Sequence, residues 1–193
     1  MIALSRSYPC AMGGPVLNRV DPAIFTLRYF THCLECSFCG DACCDHGVDI
    51  DLENAARLKA LPQDFHDRIG VPVSEWFTPT TVADAEFPGG AHQRSSVRNG
   101  ACVFRNRAGR GCAIHAYCVE RKLDYHDYKP MVSVLFPVTF EQGVLTASGE
   151  VADGSLICAR QGPSLYEGAR GELEYYFGAG LVAELDQLKA RHG

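Results

Sequence analysis

The chain has 193 residues, of which 47% are hydrophobic and 21% charged, a balance that excludes a disordered polymer and permits a buried core without staples. Its net charge of -5 excludes a broad nucleic-acid footprint, which needs a basic stripe. The densest basic run, Arg105, Arg107 and Arg110, reads as a solvated turn.

In chain order, residues 1–31 read as an irregular arm, broken by Pro9, Gly13, Gly14, Pro15 and Pro22, and residues 32–193 as a metal-binding domain. Within the arm, residues 23–30 are rich in Ile, Phe and Tyr and predict a short strand. The run 33–44 is too dense in Cys, Gly and Asp for a regular element. Asp51 is placed to cap a helix through Leu52, Ala55 and Lys59 that Pro62 closes, with a second helix over 63–69. Residues 70–100 form a long, weakly patterned stretch of the kind that covers something or stays mobile. Trp76 and Phe77 in it read as anchors on the core. Residues 97–104 predict a strand, Cys112 opens a helix to Leu123, and residues 131–138 predict a strand pairing with 143–147 across a turn at Glu141-Gln-Gly143. Residues 165–189 are helical in pattern, with Leu181, Leu185 and Leu188 in one apolar stripe. The fold class expected is α+β, a compact single domain organised around a cysteine-ligated metal centre.

The metal follows from the cysteines. Residues 1–14 lack the apolar core of a secretory leader, and no window approaches the roughly 20 apolar residues of a membrane span. A reducing cytoplasm is therefore expected, where disulfides are uncommon and ten cysteines point to ligation. The central motif is Cys33-Leu-Glu-Cys36-Ser-Phe-Cys39-Gly-Asp-Ala-Cys43-Cys44. Two-residue spacers let a tight turn aim paired thiolates at one centre, and Gly40 permits the positive φ such a turn needs. Thiolates select zinc or iron–sulfur over magnesium or calcium. Adjacent Cys43 and Cys44 diverge, which tilts the reading from a lone ion toward a polynuclear centre. Farther on, Cys102, Cys112, Cys118 and Cys158 are either ligands or small core side chains. Cys112 stands at a helix start, where backbone amides favour a thiolate, and His115 and Cys118 share its face.

Together Cys36-x-x-Cys39-Gly-x-x-Cys43-Cys44, Cys102-Val-Phe, Gly111-Cys112-Ala-Ile-His115 and Lys129-Pro130 leading to Leu135-Phe136-Pro137 resemble the YkgJ-type cysteine-cluster family. The resemblance extends through Ile157-Cys158 to the C-terminal helices. It implies a zinc- or iron-chelating domain of a kind also found in flagellin lysine-methylating proteins. It carries ligand positions onto Cys36, Cys39, Cys43, Cys44, Cys102, Cys112 and Cys158. Two departures stand out: Asp41 and Ala42 both intervene where the family commonly has one residue, and Ser133 replaces a usual cysteine. Cys118 is the candidate replacement ligand.

The expected function is a metal-binding protein with a [4Fe–4S] cluster, serving redox or protein-modification chemistry. The alternative is a zinc-stapled interaction module. A third class, a cysteine nucleophile using Cys112 with His115 or Cys44 with Asp45 and His46, needs sequence neighbours to converge as nucleophile and base. The partner expected is a protein, as substrate or binding partner; neither nucleic acid nor membrane is expected.

Overall fold

The N-terminal segment is a hairpin rather than an irregular arm. In the computed structural model, which describes residues 1–30 and 33–192, strand Ile2–Pro9 pairs antiparallel with Val16–Val20. The ladder shifts register between Ala3 and Tyr8, so buried Leu4 and Tyr8 are separated by three exposed residues. That interruption erases the two-residue alternation by which strands are recognised. Pro9 closes its strand, and Gly13 and Gly14 make the turn with φ of 80° and 93°.

The chain divides into two compact units, Met1–Thr31 with Ala85–Pro88 and Leu135–Gly193, and His32–Asp84 with Gly89–Val134. The boundary expected between residues 31 and 32 lies outside the described residues. Both units mix helices and strands, the α+β class expected.

In the first unit the hairpin joins a four-stranded sheet ordered Ile2–Pro9, Val16–Val20, Val144–Ala147, Val138–Glu141. The last two strands turn through Gln142 and Gly143, both left-handed at φ 50° and 75°, as a two-residue hairpin whose twist matches its strands requires. A Cβ on Gly143 would stand 3.1 Å from the Val16 carbonyl, so glycine is needed twice over. The strand expected over 131–138 is instead a short helix, Met131–Leu135, followed by strand Val138–Glu141. Pro130 starts that helix: its carbonyl accepts from the Ser133 and Val134 amides, and Pro at a first turn loses no helical bond.

Residues 23–30, expected as a strand, form one helical turn, Ala23–Thr26, and then strand Arg28–Tyr29. Asp21 Oδ1 accepts from the Ala23 amide at 2.9 Å, supporting the turn. Arg28–Tyr29 pairs antiparallel with Ala159–Ser164, and the Phe30 amide donates to the Cys158 carbonyl at 3.2 Å. That pairing fixes the backbone of Cys158. Ser164 then caps helix Leu165–Phe177 in a reciprocal capping box with Glu167. Helix Ala179–His192 follows, burying Leu181, Leu185 and Leu188 as the apolar stripe predicts. Tyr8 Oη donates to Glu184 Oε2 at 2.6 Å, tying the first strand to this last helix.

In the second unit, helices Leu52–Lys59 and Gln63–Ile69 form where the caps predict. Asp51 accepts from the Asn54 amide at 2.7 Å, and left-handed Gly70 ends the second helix. Asp51→Ala is expected to lower stability by about 1 kcal/mol, the usual cost of a lost N-cap, measured as a shift in the urea midpoint at unchanged slope.

The stretch 70–100 is more ordered than its sequence pattern suggests. It supplies Val82–Ala83 and Ala91–Arg94 to a sheet with Asp49–Asp51. It also contains Val97–Arg98, which pairs with Ala101–Cys102 across Asn99 and Gly100, both at positive φ. The single strand expected over 97–104 is this hairpin. Trp76 is the anchor: fully buried, it donates from Nε1 to the Val71 carbonyl at 2.8 Å and meets the rings of Phe65 and Phe104 edge-on. Helix Ala113–Arg121 starts at Cys112 as expected and adds Ile114, Tyr117 and Cys118 to this core. Among the described residues no helix is long and apolar enough to cross a membrane.

Candidate metal centre

The cysteine loop is shaped by two successive left-handed residues, Gly40 and Asp41, at φ 62° and 61°. Aspartate tolerates this conformation better than most side chains, and glycine adopts it freely. The reversal brings the Asp41 amide within 3.4 Å of Cys39 Sγ, donating to it. It also starts the 3₁₀ turn Ala42–Cys44, where the Cys44 amide donates to the Asp41 carbonyl at 2.7 Å. An amide aimed at a sulfur is the kind of support that outer partners give metal ligands.

A second loop braces the first. The Asp41 side chain is 5% exposed, a burial that a carboxylate tolerates only with partners. It accepts from the Gly111 amide at 3.0 Å and pairs with Arg110 at 3.4 Å. Arg110 also donates from Nε to the Cys36 carbonyl at 2.7 Å, and from Nη2 to Cys39 Sγ at 3.5 Å. Beside it, Arg105 pairs with Asp45 at 3.4 Å. The basic run expected as a solvated turn is therefore in part a clamp, because two of its guanidiniums meet two carboxylates of the cysteine loop. Sequence reading missed Asp41 and Arg110. The signal available was weak: two acids, Asp41 and Asp45, on one loop and two arginines, Arg105 and Arg110, on the other.

The sulfur atoms of Cys36, Cys39 and Cys158 all lie within 4.8 Å of one another, the one group of three or more metal-capable side chains among the described residues. Cys36 and Cys158 are buried and Cys39 is partly exposed. Three soft donors this close fit a thiophilic metal by chemistry and by distance. In a tetrahedral zinc site with Zn–S bonds near 2.3 Å, neighbouring sulfurs stand about 3.8 Å apart.

The other expected ligands are placed differently. Cys43 and Cys44 sit partly exposed in the 3₁₀ turn, outside this sulfur group. Cys102 lies 3.3 Å from Ser95 Oγ, and burial raises its thiol pKa despite that contact. Cys112 occupies the helix start, and backbone groups of His115 and Ile114 do favour its thiolate, as does Lys129. Burial outweighs them and raises its pKa. At this helix start burial thus works against the thiolate that the backbone groups favour. In the Cys44-Asp45-His46 run, the Asp45 carboxylate is engaged by Arg105.

Cys118, the candidate replacement for a ligand at Ser133, is wholly buried in the core with Phe65, Ile114 and Tyr117. Burial, followed by the nearby Cys112, Asp124 and Asp127, pushes its thiol pKa up to about 11. The group titrates near 9 when unperturbed, so its contribution to stability is complete below pH 9 and is lost as pH rises toward 11. Cys118→Ala is expected to retain the full metal content. In the native wild type, iodoacetamide at pH 8 is expected to leave Cys118 unlabelled, as read by peptide mass spectrometry; loss of metal in the variant would return Cys118 to the ligand set. Cys33 lies beside two residues outside the described set, and its side chain is not placed.

Fold and sulfurs together define a mixed α+β protein with a cysteine group that could hold a metal ion. Compared with known proteins, the chain matches no protein-family model, no curated protein and no solved structure.

Proposed function

We propose that the chain is a metalloprotein whose centre is held by the thiolates of Cys36, Cys39 and Cys158. One observation carries this reading: residues more than a hundred positions apart bring three sulfurs within 4.8 Å. That separation favours one tetrahedral ion, zinc first, because a polynuclear core spreads its thiolates around several metal atoms. Bound there, the metal would supply cross-linking of the fold and, at any position not taken by a thiolate, Lewis acidity.

The chain's own residues do the rest. The Asp41 amide and the Arg110 guanidinium both donate to Cys39 Sγ and hold it in place. Arg110 holds the loop through the Cys36 carbonyl. Burial of Cys36 and Cys158 keeps water and oxidants from two of the three sulfurs.

A [4Fe–4S] cluster is the second reading, favoured by Cys43 and Cys44 lying next to the centre in sequence with partly exposed side chains. The resemblance to the YkgJ-type family is compatible with either metal, and a reducing cytoplasm is the compartment in which such thiols stay available. The duty proposed is structural if zinc is bound, and redox or protein modification if a cluster is. Anaerobic purification with zinc, iron and sulfide quantitation separates the readings. Colourless protein with one zinc per chain supports the first. Brown protein with iron and sulfide in equal amounts supports the second, and protein free of all three metal-centre components ends the proposal.

A further inference from the structure

The loop that braces the cysteines opens on its other side into a cleft. A cavity of about 570 Å³ is lined by Arg98, Arg105, Arg107 and Arg110 together with Asp41 and Cys102. Four guanidiniums around one cavity are notable in a chain of net charge -5, because mutual repulsion must be offset by something. Part of the offset is present: Arg98 pairs with Glu75, Arg105 with Asp45, and Arg110 with Asp41. Arg107 has no ion pair or hydrogen bond among the described residues.

Three paired guanidiniums are not spent donors. Each carries five N–H groups in a fixed fork, and the pairs with Glu75, Asp45 and Asp41 occupy only part of that capacity. The unengaged N–H groups, with the whole of Arg107, suit the planar, multidentate recognition of phosphate or carboxylate that arginine performs better than lysine. Arg98 pairs with Ala101 beside the turn at Asn99-Gly100, and Asn106 fixes the basic loop by donating from Nδ2 to the Arg110 carbonyl at 3.3 Å. Arg107 and Arg98 are themselves exposed, so their guanidiniums are open to a ligand from solvent.

We propose that this cleft binds a small anion bearing phosphate or carboxylate groups, with Arg107 and Arg98 as its principal contacts. The inference goes beyond the metal reading, and its principal contacts, Arg98 and Arg107, lie outside the cysteine loop. Because Arg110 belongs to both cleft and clamp, an occupied cleft also touches the loop that carries Cys36 and Cys39.

Calorimetric titration of the full chain with inorganic phosphate and, separately, with succinate tests it, against sodium chloride at matched ionic strength. Saturable binding of one anion per chain is expected for at least one of the two. Phosphate alone assigns a phosphate ester, succinate alone assigns a carboxylate, and both together assign a ligand read by charge. Arg107→Ala is expected to weaken binding at least tenfold and Arg107→Lys less, with metal content and thermal midpoint unchanged. Arg98→Ala serves as the second variant. The proposal is overturned if neither anion binds above chloride, or if both alanine variants bind as tightly as the wild type.

Discussion

Cys36→Ser is expected to abolish stoichiometric metal binding and to lower the thermal midpoint of the metal-loaded protein to that of chelator-treated wild type. Serine keeps the shape and loses the soft donor, and Cys36 is the most deeply buried of the three sulfur-bearing residues, at 1% exposed. A ligand that binds only the folded chain stabilises it by about 4 kcal/mol when free metal exceeds its dissociation constant a thousandfold. For a chain of this length that corresponds to a midpoint shift of about 8–16 °C. Calorimetry with and without chelator, alongside metal analysis, reads both quantities. Because the metal's binding energy is also folding energy, a variant that lost metal yet kept the loaded midpoint would show the centre to be incidental to the fold. Cys39→Ser should lose metal with less direct cost to the apo protein, since its side chain is already partly exposed.

Phe65→Ala should cost about 3–5 kcal/mol, the range for truncating a buried aromatic ring. Phe65 is fully buried and meets Trp76 and Tyr117 at centroid distances of 5.7 and 5.0 Å. Its loss removes packing from both the 70–100 stretch and helix Ala113–Arg121. The chain's single tryptophan is the reporter, as Trp76 fluorescence follows this core directly in a urea titration. A midpoint that moved by less than a kilocalorie equivalent would mean that the cavity collapses and that the aromatic cluster is less rigid than its edge-on contacts imply.

What could be read in advance was what local chemistry dictates. Asp51 and Pro62 bound the first helix of the second unit because caps and breakers act within a turn of themselves. The stripe of Leu181, Leu185 and Leu188 declared its helix because a 3.6-residue period has no other use. The N-terminal hairpin stayed hidden because a register shift between Ala3 and Tyr8 disrupts the alternation. Residues 131–135 read as a strand because four apolar residues around Ser133 are too few to show a helical period, and only Pro130 biases them toward a helix. The cysteines divide on the same ground. Two-residue spacing marks Cys36 and Cys39 as partners, whereas Cys158 owes its backbone position to strand pairing with Tyr29, a contact between distant segments. Nothing within a few residues separates Cys158 from Cys118, yet one sulfur joins the group and the other packs in the core. The clamp from Arg110 to Asp41 is long-range as well, and only the presence of opposite charges on two loops hinted at it.

Extended X-ray absorption fine structure at the edge of the bound metal tests the central claim most directly. A metal held by Cys36, Cys39 and Cys158 must show a shell of at least three sulfurs, at about 2.3 Å if the metal is zinc. A shell dominated by nitrogen and oxygen, or one fitted by fewer than three sulfurs, would contradict the assignment.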